Sequence, residues 1–261
     1  MLPSELNQKY ELRGTLGAGA MGTVFDAVDR FIGRRVAIKV VKRPTGNDPE
    51  SVEIRTRFRQ EAQAACKILG ASWHPPFCDD LEVVYSVGRV RWLAALIREV
   101  NPRIVLTHPP VDYMEDHTET CRLTVTAAFA KNMPNFHTTP RRAPAAGDVT
   151  IYHAMPHGLT TPLRQPVTPD LLVDTASVHG KKRAALAAHA SQKEWLDATQ
   201  GMDSYLSAMD ELSARSAAMG RRLKLAEGWR RHLHLGFSAK EEDPLSDVLK
   251  KFCSQPRKNL G

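Results

Sequence analysis

Apolar residues recur along this chain with two periods, and the order in which the periods alternate predicts an α/β architecture. Ala62, Ala65, Cys66 and Leu69 fall on one side of a helix that Gly70 stops, and Val90, Leu93, Ala94, Ile97 and Val100 make the buried stripe of another. That second helix ends at Asn101-Pro102, and Ile104–Leu106 follows as a short apolar strand, the helix-to-buried-strand order of an α/β sheet. Further strands are expected at 149–152 and 171–175, and a helix over 181–192. Tyr205, Met209, Leu212, Met219 and Leu223 continue at helical spacing, and a short helix lies near 245–252. Between 134 and 169, recurring prolines leave an irregular stretch of the kind that forms lids, specificity loops or plain surface; His153 and His157 lie in it without an assigned role.

The polar turn after Ile104–Leu106 is where chemistry is expected, because ligands of open α/β sheets lie at the carboxyl ends of strands. Asp116 and Glu119 have the spacing of a capping box, which puts His117 in the first turn of a helix. The positive end of the helix dipole there favours the neutral imidazole, the form that binds a metal ion. The same residues also suit a plain helix start, with Asp116 as cap and His117 on the surface.

Composition removes several alternatives. At 261 residues and 29.0 kDa, with 42% hydrophobic and 25% charged residues, the chain is long enough for one α/β domain or a domain with a small appendage. No apolar run reaches bilayer length and the first residues lack a signal-peptide pattern, so a cytoplasmic protein without a membrane partner is expected. Cys66, Cys78, Cys121 and Cys253 show no paired or zinc-finger spacing and read as reduced thiols. The net charge of +7 is spread over separated basic pairs without interleaved aromatics, which argues against a nucleic-acid partner.

Gly17, Gly19 and Gly22 have G-x-G-x-x-G spacing, followed by Val24 and by Lys39 in a Val-Ala-Ile-Lys strand. This opening resembles the start of a bacterial Ser/Thr protein kinase, in which a glycine-rich hairpin covers the ATP phosphates and the lysine pairs with them. Glu61 sits where that family has the glutamate that pairs with the lysine. No H-R-D loop or D-F-G aspartate follows residue 70, so phosphoryl transfer is not expected, nor is ATP as a cofactor. The glycines and lysine also suit a hairpin that binds nothing.

The stretch Ile104–Arg122, with its Asp116-His117 pair after a strand, resembles the third motif of the PIG-L/LmbE-like family of zinc-dependent N-acetylglucosaminyl deacetylases. The resemblance extends from about residue 53 to 237, through the Lys/Ala/His-Ser-Gln segment ending at Gln192 and the Ala226-Glu227-Gly228-Trp229 segment. It implies His117 as a zinc ligand and Asp116 as its catalytic supporter, with Arg57 or Arg59 and Asp79 or Asp80 contacting substrate. Met114 stands where many members have an assisting histidine, and the family's His-Pro-Asp-Asp motif is missing; His74 and Asp80 only echo it.

The expected fold is therefore α/β, with an incomplete Rossmann-like parallel sheet of the PIG-L/LmbE type and a small N-terminal β-hairpin region like a kinase N-lobe. Residues 1–50 are assigned to the glycine-rich segment, 51–240 to the deacetylase-like domain and 241–261 to a tail. The resemblance implies a metal-dependent hydrolase, using zinc or another divalent ion on an N-acetyl amino sugar or glycoconjugate, impaired by the missing motif. The rival expectation is an inert ATP-binding or scaffold protein built on the kinase-like hairpin.

Overall fold

The computed structural model describes residues 9–19, 22–31, 33–41, 49–192 and 204–257, in two compact units, Met1–Ala65 and Cys66–Gly261. The first unit holds a three-stranded antiparallel sheet in the order β1 (Tyr10–Gly19), β2 (Gly22–Asp29), β3 (Arg35–Val41). The glycine-rich hairpin and the Val-Ala-Ile-Lys strand thus lie in one sheet. Its second turn is set by Asp29, whose carboxylate accepts the Phe31 amide at 2.9 Å, and by Gly33, whose φ of 65° would strain a larger residue. Helix α1 (Pro49–Leu69) follows, and the chain breaks at Gly70, with φ 77°, where the pattern places a stop.

The second unit is built on a five-stranded sheet in the order β4-β5-β7-β6-β8. These are β4 (Ile104–Thr107), β5 (Thr150–Ala154), β6 (Leu171–Asp174), β7 (Ala226–Arg231) and β8 (Cys253–Ser254). A parallel sheet is the sequence expectation, and the structure corrects it to a mixed one: β4 and β5 alone run parallel, while β5–β7, β6–β7 and β6–β8 are antiparallel. The reason is where β7 begins. Ala226 lies opposite Asp174, so β7 starts where β6 stops and must run back between β5 and β6.

Helix α2 (Val87–Val100) is capped at both ends: the Ser86 hydroxyl accepts the Arg89 amide at 3.3 Å, and Asn101 takes the left-handed conformation before Pro102. Its apolar face packs with helix α3 (Glu115–Phe129) and β5, where Val90, Ala94, Ile97, Leu123, Ala127, Val149 and Ile151 form the main core. Helices α4 (His179–Ala187) and α5 (Ser204–Ala218) follow β6, and Ala217 packs with Leu172 and Ala226 in a smaller cluster.

Two buried cations are held by backbone carbonyls. Arg98 on α2 donates to the carbonyls of Ala130, Lys131, Met133 and Arg142, and Lys131 donates to Gly147 at 2.9 Å. Carbonyls left over at the end of α3 thereby find donors, and the irregular segment after it is tied to the core. The C-terminal helix α6 (Pro244–Leu249) is fastened by Tyr152, whose hydroxyl donates to Asp243 at 2.6 Å and accepts the Leu245 amide at 3.2 Å. No described helix is long and apolar enough to cross a membrane.

Candidate functional site

The carboxyl ends of β4 and β5 lie side by side, with Thr107 in register with His153, and the turn that leaves β4 there carries His108, Asp112 and His117. Helix α3 begins at Glu115, with Met114 at the cap position and no side-chain cap bond. The expected capping role of Asp116 is thus corrected. Asp116 stands inside the first turn, where its charge suits the helix dipole, and its Oδ2 accepts the Leu81 amide at 2.7 Å. That bond ties the turn bearing Asp79 and Asp80 to the start of α3; both of those side chains are exposed.

His117 does fall in the first helical turn, and its partner is Asp112. Nδ1 of His117 lies 3.1 Å from Asp112 Oδ1, the oxygen that also accepts the Met114 amide at 3.1 Å. The Asp112 side chain is 2% exposed and His117 30%, so the carboxylate is buried behind a ring that reaches solvent. A carboxylate can only accept from a neutral imidazole, which places the proton on Nδ1 and leaves Nε2 with its lone pair. On one face the His117 ring stacks against His108, with centroids 4.2 Å apart and planes at 9°. Tyr113 stands edge-on to it at 5.9 Å and tilts toward His157 at 6.0 Å. Burial, and then the neighbouring His117, hold the His108 ring below the ordinary histidine range.

A second group of side chains supports the turn from beneath. His153 is 5% exposed, with Nδ1 2.9 Å from the His108 carbonyl and Nε2 2.8 Å from His232 Nδ1. Burial lowers the pKa of both His153 and His232. The Cys121 thiol lies 3.5 Å from His153 Nδ1, and burial pushes it up to about 11, so it stays protonated and unreactive at neutral pH.

The other residues singled out by sequence belong to other elements. Arg57 and Arg59 are on α1 in the first unit, where Arg57 bonds to Glu61 at 3.2 Å. Gly19 pairs with Gly22 to close the glycine-rich hairpin, Gly17 pairs with Val24, and Lys39 is the backbone partner of Val24 from the third strand. The Lys39 side chain is outside the described residues. His74 is exposed in the loop after α1.

β4, the turn after it and the start of α3 all fall within the stretch that the family comparison matches. Residues 31–128 match the family described as GlcNAc-PI de-N-acetylase. That stretch of the chain is similar to the PIG-L family. Three solved structures share the fold. A 4-carboxy-2-hydroxymuconate hydratase from Pseudomonas putida is 23% identical, with 77% of this chain and 79% of that one covered at a TM-score of 0.56. A conserved protein of Thermus thermophilus is 20% identical, covering 76% and 80% at 0.54. An N,N'-diacetylchitobiose deacetylase from Pyrococcus horikoshii is 19% identical, covering 77% and 72% at 0.58.

The N-terminal segment is similar to bacterial Ser/Thr kinases. The kinase PknA of Mycobacterium tuberculosis is 43% identical over 63 residues, 24% of this chain and 14% of that protein. A probable kinase of Corynebacterium efficiens is 45% identical over 82 residues, 31% of this chain and 11% of that protein. The chain thus spans a small part of the curated relatives it matches.

Metal dependence is the family expectation, and the donor set tests it. A zinc site needs three protein ligands with a fourth position open. The turn after β4 offers His117 Nε2, backed by Asp112 as ligating imidazoles usually are. Among the described residues no three His, Cys, Asp or Glu side chains converge on one point, so they do not by themselves complete such a centre. Sequence pointed to His117 and missed Asp112, His153 and His232; the signal available for Asp112 was its place five residues before His117 in the same turn.

Proposed function

We propose that the Cys66–Gly261 unit is a hydrolase of the amide-cleaving, deacetylase type, acting on an N-acetylated amino sugar or glycoconjugate, with His117 as its base. The observation that carries this reading is the Asp112–His117 bond at the carboxyl end of the parallel pair. Asp112 holds the Nδ1 proton, so Nε2 is free to accept a proton from water attacking the acetyl carbonyl. The same nitrogen then returns the proton to the departing amine, giving acetate and the free amino sugar. Asp116 keeps a supporting role by fixing the Asp79–Asp80 turn, and Asp79 and Asp80 are then the carboxylates available to sugar hydroxyls. With no complete ligand set among the described residues, the expected rate is low.

The test is release of free amine from N,N'-diacetylchitobiose by the purified chain, with and without added zinc, beside His117→Ala. Turnover above background that the substitution abolishes supports the reading; equal amine release from both proteins sinks it. Zinc that raises the rate only in the unsubstituted chain would instead assign Nε2 to a metal ion and move the base elsewhere.

The kinase-like sheet favours a second reading, ATP binding without phosphoryl transfer, through Gly17, Gly19, Gly22 and Lys39. Thermal stabilisation by magnesium-ATP that Lys39→Ala removes would support it, and no shift in either protein would end it.

A further inference from the structure

We propose that His153 is a positioning residue of this site: it holds, through the His108 carbonyl, the ring that stacks on His117, while His232 donates to its other nitrogen. This deepens the reading of His117 as the chemical group and rests on it.

The hydrogen bonds leave one consistent assignment. A carbonyl only accepts, so the nitrogen 2.9 Å from His108 O must be a protonated Nδ1 on His153. In the neutral ring Nε2 is then an acceptor, and the His232 Nδ1 at 2.8 Å must donate to it. Burial of both rings, with Arg230 adding to the effect at His153, favours this uncharged arrangement. The His232 backbone is fixed in turn, since its amide donates to the Ile151 carbonyl at 2.8 Å, and its ring stands edge-on to Phe237 at 5.4 Å. His153 is thus anchored from the sheet side by a partner with little freedom.

What it anchors is the first residue of the turn. His108 follows β4 directly, and its ring covers one face of His117 at 4.2 Å while Asp112 holds Nδ1. The chain of contacts runs from β7 through His232 and His153 to the His108 backbone, and from the His108 ring to His117. Two supports at different angles, the stack and the carboxylate, define both the plane and the rotation of the His117 imidazole. His153 touches neither substrate nor reacting atoms, so its effect on the site is through orientation.

Asparagine and glutamine separate the two ends of the His153 ring. His153→Asn places an N–H near the position of Nδ1 and keeps the bond to His108 while losing the acceptor for His232. His153→Gln reaches the Nε2 position and loses the bond to His108, and His153→Ala loses both.

The measurement is nitrogen-detected imidazole spectroscopy of the full chain without substrate at about pH 8, above the ordinary histidine range. The expected spectrum has His153 and His232 both as Nδ1–H tautomers. His117 ring-proton shifts, which report the stacked His108 ring, should stay in place in His153→Asn and move in His153→Gln and His153→Ala. A His153 protonated at Nε2, or His117 signals that are the same in Gln as in the unsubstituted chain, overturns the proposal. If the alanine variant does not fold, the Asn and Gln pair decides alone. None of these readouts needs turnover, so a chain inactive on amides leaves the positioning result standing, and unmoved His117 signals sink it whatever the activity.

Discussion

His117 turns its Nδ1 toward Asp112 at 3.1 Å, while the carboxylate of its own neighbour Asp116 faces the Leu81 amide at 2.7 Å. Adjacent residues on a helix project about 100° apart, so one of the pair faces the turn and the other the loop beside it. The two aspartates should therefore respond differently to truncation. Asp112→Ala removes the acceptor of two bonds from a buried position and should cost about 1–3 kcal/mol, as well as releasing the His117 ring. Asp116→Ala loses one exposed bond and should cost about 1 kcal/mol or less. Urea unfolding of the two variants checks the order; an equal cost would count against the buried role of Asp112.

Arg98 is held by four carbonyls and no carboxylate. Replacing it with methionine keeps much of the volume but strands those carbonyls, and a loss of about 3–5 kcal/mol is expected. Lysine should rescue little, since one ammonium cannot reach the four acceptors that a planar guanidinium spans. Denaturant midpoints of Arg98→Met and Arg98→Lys measure both effects, and a midpoint unchanged in either would contradict them.

Acid should weaken the second unit through His153 and His232. Their folded pKa values lie below the ordinary histidine value near 6.5, so the unfolded chain binds more protons in that window. Their contribution to stability is complete above the unfolded pKa and is lost as pH falls from there through the lowered folded values. Thermal melts from about pH 7.5 to 5 should show the midpoint falling with acidification. The slope should be shallower in His153→Asn, and an identical slope would show that other groups carry the effect.

Gly236 has a φ of 86°, and a Cβ built there would lie 2.3 Å from a ring carbon of Phe129. Both the backbone and the Phe129–Phe237 contact, with centroids 5.6 Å apart, oppose a side chain. Gly236→Ala should lose about 1–3 kcal/mol, measured by calorimetry or urea unfolding. Because Phe237 packs against His232, the same substitution should disturb the His232 signals as well.

The run from α2 through β4 was legible from residue pattern alone, while β7 and β8 were not. The stripe of Val90, Ala94 and Ile97, the Asn101-Pro102 stop and the strand after it all lie where periodicity and breakers place them, because each depends on neighbours within a few residues. His117 in the first helical turn is local in the same sense, as is the glycine hairpin that makes the opening similar to kinases. Strand direction was not local: β7 pairs with both β5 and β6 across 51 or more intervening positions, and nothing in Ala226–Arg231 states which way it runs.

The site divides along the same line. Residue types and spacing determined that an imidazole stands at the carboxyl end of β4, and with it the family resemblance. Which carboxylate would hold that ring was decided by the turn, since Asp112 and Asp116 are both within five residues and only folded geometry tells a buried acceptor from an exposed one. His153 and His232 are 79 positions apart and meet only because β5 and β7 are neighbours in the sheet. Hydrogen bonds between strands depend on register and direction, which the sheet sets and a linear pattern does not carry.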